Sequence, residues 1–254
     1  MELPRNTFKH ALAEGRPQIG LWSTLSSSLT VELLAGAGFD WMLLDMEHSP
    51  NDLESLFGQL QAAEPYPTHA VVRVPWNDAV MLKRVLDIGA QSILIPMIDD
   101  ADQAKAAVAA MRYPPRGIRG VGGTTRATRW GRIPNYPQRA ESELCILLQV
   151  ETATSLEQIE AIAAVDGVDG IFVGPADLHA SFGHVGERHH SDVWPKIEEA
   201  IRRIRAAGRA PGFLTSNEPD ARRILDIGGQ FVAVGSDASL LASAADSLRK
   251  RFLG

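Results

Sequence analysis

The chain has 254 residues, 45% of them apolar and 22% charged, with a formal net charge of −6. This balance suits a soluble globular protein with a sizeable core, and an acidic excess without a long basic run argues against nucleic acid as the main partner. No uninterrupted apolar stretch reaches the ~18 residues of a membrane helix, and the single cysteine, Cys145, excludes an internal disulfide.

The N-terminal "MELPRNTFKHALAEG" has the charge and spacing of a first helix rather than of a signal peptide, so a cytoplasmic protein without a membrane partner is expected. Eight short apolar runs follow: IGLW at 19–22, WMLLD at 41–45, AVVRV at 70–74, SILIPM at 92–97, LCILLQVE at 144–151, GIFVG at 170–174, APGFL at 210–214 and FVAVG at 231–235. They are continuous rather than alternating, as strands of a parallel sheet covered on both faces must be. Between most of them lie segments with Leu, Ile and Ala at three- and four-residue spacing, such as SLEQIEAIAAV and DVWPKIEEAIRRIRAAG. The repetition predicts an α/β fold: one (β/α)8 TIM barrel, a single domain over 1–254.

Two segments stand out from that rhythm. RVLDIGAQSILI at 84–95 recurs as RILDIGGQFVAV at 223–234, which either a half-barrel duplication or a shared helix-stop pattern explains. The Gly-, Pro- and Arg-rich segment 112–142 is too long for an ordinary connection and reads as a lid or a contact surface. Its RGVGG follows no strand and lacks a P-loop lysine, so a phosphate loop is not expected there.

In such a barrel the chemistry sits at the C-terminal ends of the strands. Those ends carry Asp45, Glu47 and His48 after the second run, Arg73 on the third, Gln149 and Glu151 on the fifth, and Ala176 and Asp177 after the sixth. Gln149 and Glu151 are two apart on a strand and share a side. Glu151 and Asp177, on neighbouring strands, would repel each other unless they share a proton, face an arginine or hold a divalent cation; Mg²⁺ or Mn²⁺ suits such a site better than zinc. The amides of Ala176 and Asp177 are placed to face an anion at a helix start. Arg73, set among valines, either closes an ion pair or waits for a carboxylate ligand. His48 follows Asp45 by three residues, a spacing that either lets the carboxylate orient the imidazole or leaves a turn histidine. Glu47 is expected to be structural and to point away from His48. The other histidines, among them His189 and His190, read as surface residues. The five lysines fall in helix-like segments, so a Schiff-base lysine is not expected at the mouth. Trp22 and Trp130 are the aromatics expected near it.

Together, LLDMEHSPND, VRVP, YPPRGIRGVGG, LQVET and VDGIFVGPADL resemble the HpcH/HpaI aldolase family of metal-dependent class II pyruvate aldolases, over nearly the whole chain. The resemblance implies a divalent Mg²⁺, Mn²⁺ or Co²⁺ held by Glu151 and Asp177. It also implies keto-acid binding and enolate stabilisation by Arg73, Gln149 beside the metal, and proton transfer by Asp45 and His48. It further implies a homo-oligomer, a hexamer of exchanged C-terminal helices. The expected reaction is reversible cleavage of a 4-hydroxy-2-oxo acid to pyruvate, or a close 2-oxo acid such as hydroxypyruvate, and an aldehyde. The alternatives are a 2-oxo acid decarboxylase or acyl-CoA lyase using the same metal enolate, and a non-catalytic barrel. The chain departs from the pattern at His179, where relatives often carry serine, which bears on aldehyde choice.

Overall fold

Each of the eight apolar runs is a strand, and the strands close a parallel barrel in the order β1-β2-β3-β4-β5-β6-β7-β8. The computed structural model describes residues 1–187 and 189–254. In chain order the elements are α1 (Thr7–Ala13), β1 (Gln18–Ser23), α2 (Ser28–Ala35), β2 (Trp41–Asp45), α3 (Leu53–Ala63), β3 (His69–Arg73), α4 (Ala79–Asp87), β4 (Ser92–Ile95), α5 (Ala101–Met111) and α6 (Tyr136–Arg139). They continue with β5 (Cys145–Val150), α7 (Ala153–Glu157), α8 (Ile159–Ala163), β6 (Gly170–Val173), α9 (Pro175–Ser181), α10 (Trp194–Ala206), β7 (Ala210–Leu214), α11 (Glu218–Asp226), β8 (Phe231–Ser236) and α12 (Asp237–Leu253). Strand β4 stops at Ile95, short of the expected 97, where Pro96 removes the next ladder donor.

The period-two geometry of the strands sorts their side chains into two cores. Trp41, Leu43, Val71, Leu94, Cys145, Leu147, Phe172 and Phe231 fill the barrel interior. Their alternates, among them Met42, Leu44, Val72, Ile93, Ile146, Leu148 and Ile171, pack outward against the helices. Continuing the inward set to the C-terminal ends selects Asp45, Arg73, Gln149 and Glu151. The strand pattern itself therefore aims these four at the axis.

The opposite end is plugged by α1. Phe8 packs 5.7 Å from Trp41 and 5.9 Å from Phe231, ring centre to ring centre. The sequence echo has a physical basis here. Gly89 and Gly228 both take positive φ, 101° and 109°, to stop α4 and α11. The glutamines that follow, Gln91 and Gln230, donate side-chain amides to the N-terminal segment, at Pro4 O and Leu12 O.

His69 stands beside this plug, stacked on Phe8 with its Nε2 2.8 Å from Ser92 Oγ. Burial pushes its pKa down to about 4. A histidine so depressed stabilises the fold fully above its unfolded value near 6.5 and loses that contribution as pH falls from there towards 4, by up to about 3 kcal/mol. The ring borders a cavity of about 290 Å³ and is half-buried, so water there reduces this upper bound. Melting temperature should therefore fall less steeply between pH 6.5 and 4 in His69→Gln than in the parent; parallel curves would remove His69 from the acid response.

Segment 112–142 is not a lid. It lies at the N-terminal end of the barrel, where Ala127 N–H donates to Asp87 O and Arg126 to Ile88 O. Arg119, buried within it, pairs with Asp87 at 2.9 Å and lies over the Tyr113 ring at 4.5 Å. Trp130 goes with this segment and is not at the mouth. This placement follows from connectivity, because a link from helix to strand must end where the strand starts.

Helix α12 leaves the barrel. Residues 239–254 are all exposed, including Leu240, Leu241, Leu248, Phe252 and Leu253, and α2 likewise bares Leu29 and Leu33. No helix among the described residues is long and apolar enough to cross a membrane.

Candidate active site

Strand register brings the first pair together. Asp45 and Arg73 are direct partners across β2 and β3. Both are buried, and the guanidinium grips the carboxylate with two hydrogen bonds: Nε to Oδ1 at 2.9 Å and Nη2 to Oδ2 at 2.6 Å. Trp22 Nε1 and the Glu47 amide also donate to Asp45, at 3.2 and 3.0 Å. Burial pushes the Asp45 pKa up, but Arg73's hydrogen bonds and charge outweigh it and hold the carboxyl below its ordinary range. Trp22 lies under Arg73, 4.9 Å from ring centre to guanidinium carbon. Of the two readings of Arg73, the ion pair is the one present.

Two expectations about this turn are overturned. Asp45 spends its oxygens on Arg73, Trp22 and Glu47 N and does not touch His48, whose imidazole is largely exposed. A three-residue offset brings side chains together on a helix, but residues 46–50 are bends. Glu47, read as structural, turns inward: its Oε2 is 2.8 Å from Arg73 Nη1 and 4.0 Å from His48 Nε2. The Arg73 contact is close enough for an ion pair but is not aimed as a hydrogen bond, so Oε2 remains a buried oxygen without a donor. Burial pushes the Glu47 pKa up to about 7 against the pull of Arg73, and Asp45 and Asp177 push the same way.

Strand β5 supplies the second half. Gln149 and Glu151 do share a side, and Gln149 Nε2 donates to Glu151 Oε2 at 2.6 Å. The other oxygen of Glu151 accepts from Met97 N–H at 2.8 Å. Met97 has a φ of 55°, a left-handed backbone that turns this amide onto the carboxylate. Nothing in IPMIDD marks it in the sequence. Gly174, at the end of β6, presses on the same group: a Cβ there would lie 2.5 Å from Glu151 Oε2, so only glycine fits without displacing it. Burial lifts the Glu151 pKa to about 7, against the two hydrogen bonds and with repulsion from Glu47 and Asp177 adding to it.

Ala176 and Asp177 are exposed in the first turn of α9, whose first helical hydrogen bond is Leu178 N–H to Gly174 O. Their own amides precede that bond. Four carboxylates, of Asp45, Glu47, Glu151 and Asp177, thus share the mouth: Arg73 is committed to Asp45 and Glu47, while Glu151 and Asp177 press on Glu47 and on each other. Gln149 Oε1 is buried without a hydrogen-bond donor among the described residues. An all-oxygen donor set, short of positive charge among the described residues and with orphaned buried oxygens, fits a hard divalent cation. The cavity at the other end, beside His69, is different: its Arg126 and Arg129 both pair with Glu64, so positive charge is in excess there.

The histidine expectation also needs correcting. His179 is buried, and His184, His190 and Asp192 come together beside it on the loop from α9 to α10. The lysines are where expected, in helices α1, α4, α5, α10 and α12.

Comparison with known proteins gives a consistent result. The family profile for HpcH/HpaI aldolase/citrate lyase matches residues 18–244. A 4-hydroxy-2-oxo-heptane-1,7-dioate aldolase of Salmonella heidelberg (strain SL476) is 55% identical over 249 residues, 98% of this chain and 95% of that one. Its counterpart in Shigella sonnei (strain Ss046) is 54% identical over 248 residues, 97% of this chain and 95% of that one. The crystal structure of an HpcH/HpaI aldolase/citrate lyase family protein from Burkholderia cenocepacia J2315 superposes with a TM-score of 0.95 at 38% identity, covering 98% of this chain and 100% of that one.

Proposed function

The chain belongs to the HpcH/HpaI aldolase/citrate lyase family, and we propose that it reversibly cleaves a 4-hydroxy-2-oxo acid into pyruvate, or a close 2-oxo acid such as hydroxypyruvate, and an aldehyde, with a divalent metal. It is a carbon–carbon lyase of the aldolase kind, like the 4-hydroxy-2-oxo-heptane-1,7-dioate aldolases it matches along almost its whole length. The observation that carries the finer reading is the surplus of buried carboxylate at the mouth, centred on Glu151.

Glu151 and Asp177 would hold Mg²⁺, Mn²⁺ or Co²⁺, with Gln149 fixing the Glu151 carboxylate from one side and Met97 N–H from the other. When bound, the ion supplies Lewis-acid stabilisation of negative charge on the substrate's keto oxygen. Arg73 adds a second positive group there: Nη1, on the Glu47 side, binds the keto acid, while Nε and Nη2 stay locked on Asp45. Asp45 therefore acts on the substrate through Arg73. His48, with Glu47 as its nearest carboxylate, takes the C4 hydroxyl proton as the C3–C4 bond breaks and its electron pair moves onto the keto oxygen. Proton return to C3 completes pyruvate. The amides of Ala176 and Asp177 receive the substrate carboxylate.

The test is a panel of aldehydes offered with pyruvate and with hydroxypyruvate, products identified by mass. Adducts with the mass of 4-hydroxy-2-oxo acids are expected. No adduct with any aldehyde, together with simple loss of carbon dioxide from the 2-oxo acid, would overturn the aldolase reading in favour of a decarboxylase.

The same reading includes a cytoplasmic homo-oligomer, a hexamer in which α12 crosses to a neighbour. The exposed leucines of α12 and the bared Leu29 and Leu33 of α2 support exchange, since both faces lack a partner among the described residues. Deleting residues 238–254 should leave only smaller species by light scattering; an unchanged mass would show that α12 does not hold the assembly.

A further inference from the structure

We propose that His184, His190 and Asp192 form a second metal site on the rim of the barrel, for a borderline transition ion such as Zn²⁺. The two imidazoles lie face to face, ring centres 3.5 Å apart and planes at 18°. One donor atom from each of the three residues lies within 4.8 Å of the others. Asp192 Oδ2 is 3.9 Å from His184 Nε2 and 3.9 Å from His190 Nδ1. Glu187 stands on the other side, 3.5 Å from His184 Nδ1 and 3.9 Å from His190 Nε2.

The grouping is built from below by one buried residue. His179 Nδ1 lies 2.6 Å from Pro175 O, so Nδ1 carries the proton and Nε2 is left to accept from His190 N–H at 3.2 Å. The carbonyl of His179 accepts from His184 N–H at 2.8 Å. A single side chain and its own peptide thus fix the backbone of both candidate ligands. His190 O is held in turn by Val193 and Trp194 amides. His190 Nδ1 accepts from Asp192 N–H at 3.2 Å, which leaves its lone pair on the face where Asp192 stands. An ion there would displace one long hydrogen bond.

The donors decide the ion. Two imidazole nitrogens with a carboxylate select Zn²⁺ or Ni²⁺ over Mg²⁺, whereas the all-oxygen set at the mouth suits Mg²⁺ or Mn²⁺. Bonds of about 2.0–2.1 Å to a tetrahedral zinc place donors roughly 3.3 Å apart. The observed 3.9 Å must therefore close somewhat, and the stacked rings must swing so that their in-plane lone pairs converge. The side chains have room to do so, at 22%, 25% and 72% exposure, and Glu187 or a water can take the fourth position. An ion so bound clamps the loop that runs on from Asp177.

The experiment is equilibrium dialysis of chelator-stripped protein against zinc, with metal counted per chain. A Glu151→Gln/Asp177→Asn protein, lacking the mouth carboxylates, should still take up stoichiometric zinc. Adding His184→Ala and His190→Ala should abolish that uptake, and His179→Ser should weaken it about 10–100-fold, the usual effect of losing a group that orients metal-ligating histidines. In the otherwise unaltered chain the His184→Ala/His190→Ala pair should lower the zinc count by one ion, which serves if the mouth variant does not fold. In the Glu151→Gln/Asp177→Asn protein cobalt should still give a visible ligand-field band, and replacing the two histidines should remove it. The proposal is overturned if the mouth variant binds no zinc, or if its zinc is indifferent to both histidines. Loss of aldolase activity alone bears on neither outcome, so this test stands apart from that of the aldol reaction.

Discussion

Arg73→Lys should lower turnover by about 10²–10³-fold, the range for removing a preorganised donor aimed at developing negative charge. The guanidinium uses Nε and Nη2 on the two oxygens of Asp45 and still presents Nη1 towards Glu47 and the mouth. An ammonium is one point of charge: it either holds Asp45 or reaches the keto acid, but not both. It also leaves Trp22 without the flat cation that lies on it. The loss should appear mainly in kcat, because a lysine retains attraction for the substrate carboxylate while losing the fixed geometry at the keto oxygen. A variant with parental turnover and an unshifted melting temperature would leave Arg73 no role beyond neutralising Asp45.

Stripping divalent metal should reduce pyruvate formation to background, and Mg²⁺ or Mn²⁺ should restore it. The physical reason is the charge count at the mouth. Glu151 is buried with two hydrogen bonds from neutral groups and, among the described residues, no cation of its own, and Glu47 and Asp177 repel it. Arg73 cannot relieve this, since its contacts are to Asp45 and Glu47. Glu151→Gln should reproduce the chelated state and be insensitive to added metal, while binding of pyruvate through Arg73 persists in part. Full activity in excess chelator would sink the metal reading and leave a proton shared among the carboxylates as the remaining remedy.

The strands were legible because a sheet buried on both faces forces continuous apolar runs, and their period of two already aimed Asp45, Arg73, Gln149 and Glu151 at the axis. What sequence spacing could not show was lateral register. Asp45 and Arg73 are 28 residues apart in the chain yet direct cross-strand partners, and that pairing takes Asp45 away from His48. Glu47 departs from its expected direction for a different reason: a short bend after a strand can turn alternate side chains inward in a way no periodicity encodes. Met97 contributes only a backbone amide, and its left-handed φ sits on a residue type that does not advertise it. The histidine cluster depends on His179 folding a loop back onto α9, a contact between residues 11 apart that carries no spacing signature. Segment 112–142 was identified as unusual by its composition, but its position followed from which ends of helix and strand it joins.

The plug beneath the barrel has a consequence for how the chain is made. Translation delivers Phe8 and Leu12 more than 200 residues ahead of Gln230 and Phe231, yet these are the groups that meet in the floor. Until the eighth strand has left the ribosome, the apolar face of the first helix has Trp41 and His69 to lie on but no complete seat, and the nascent protein carries it partly uncovered until then.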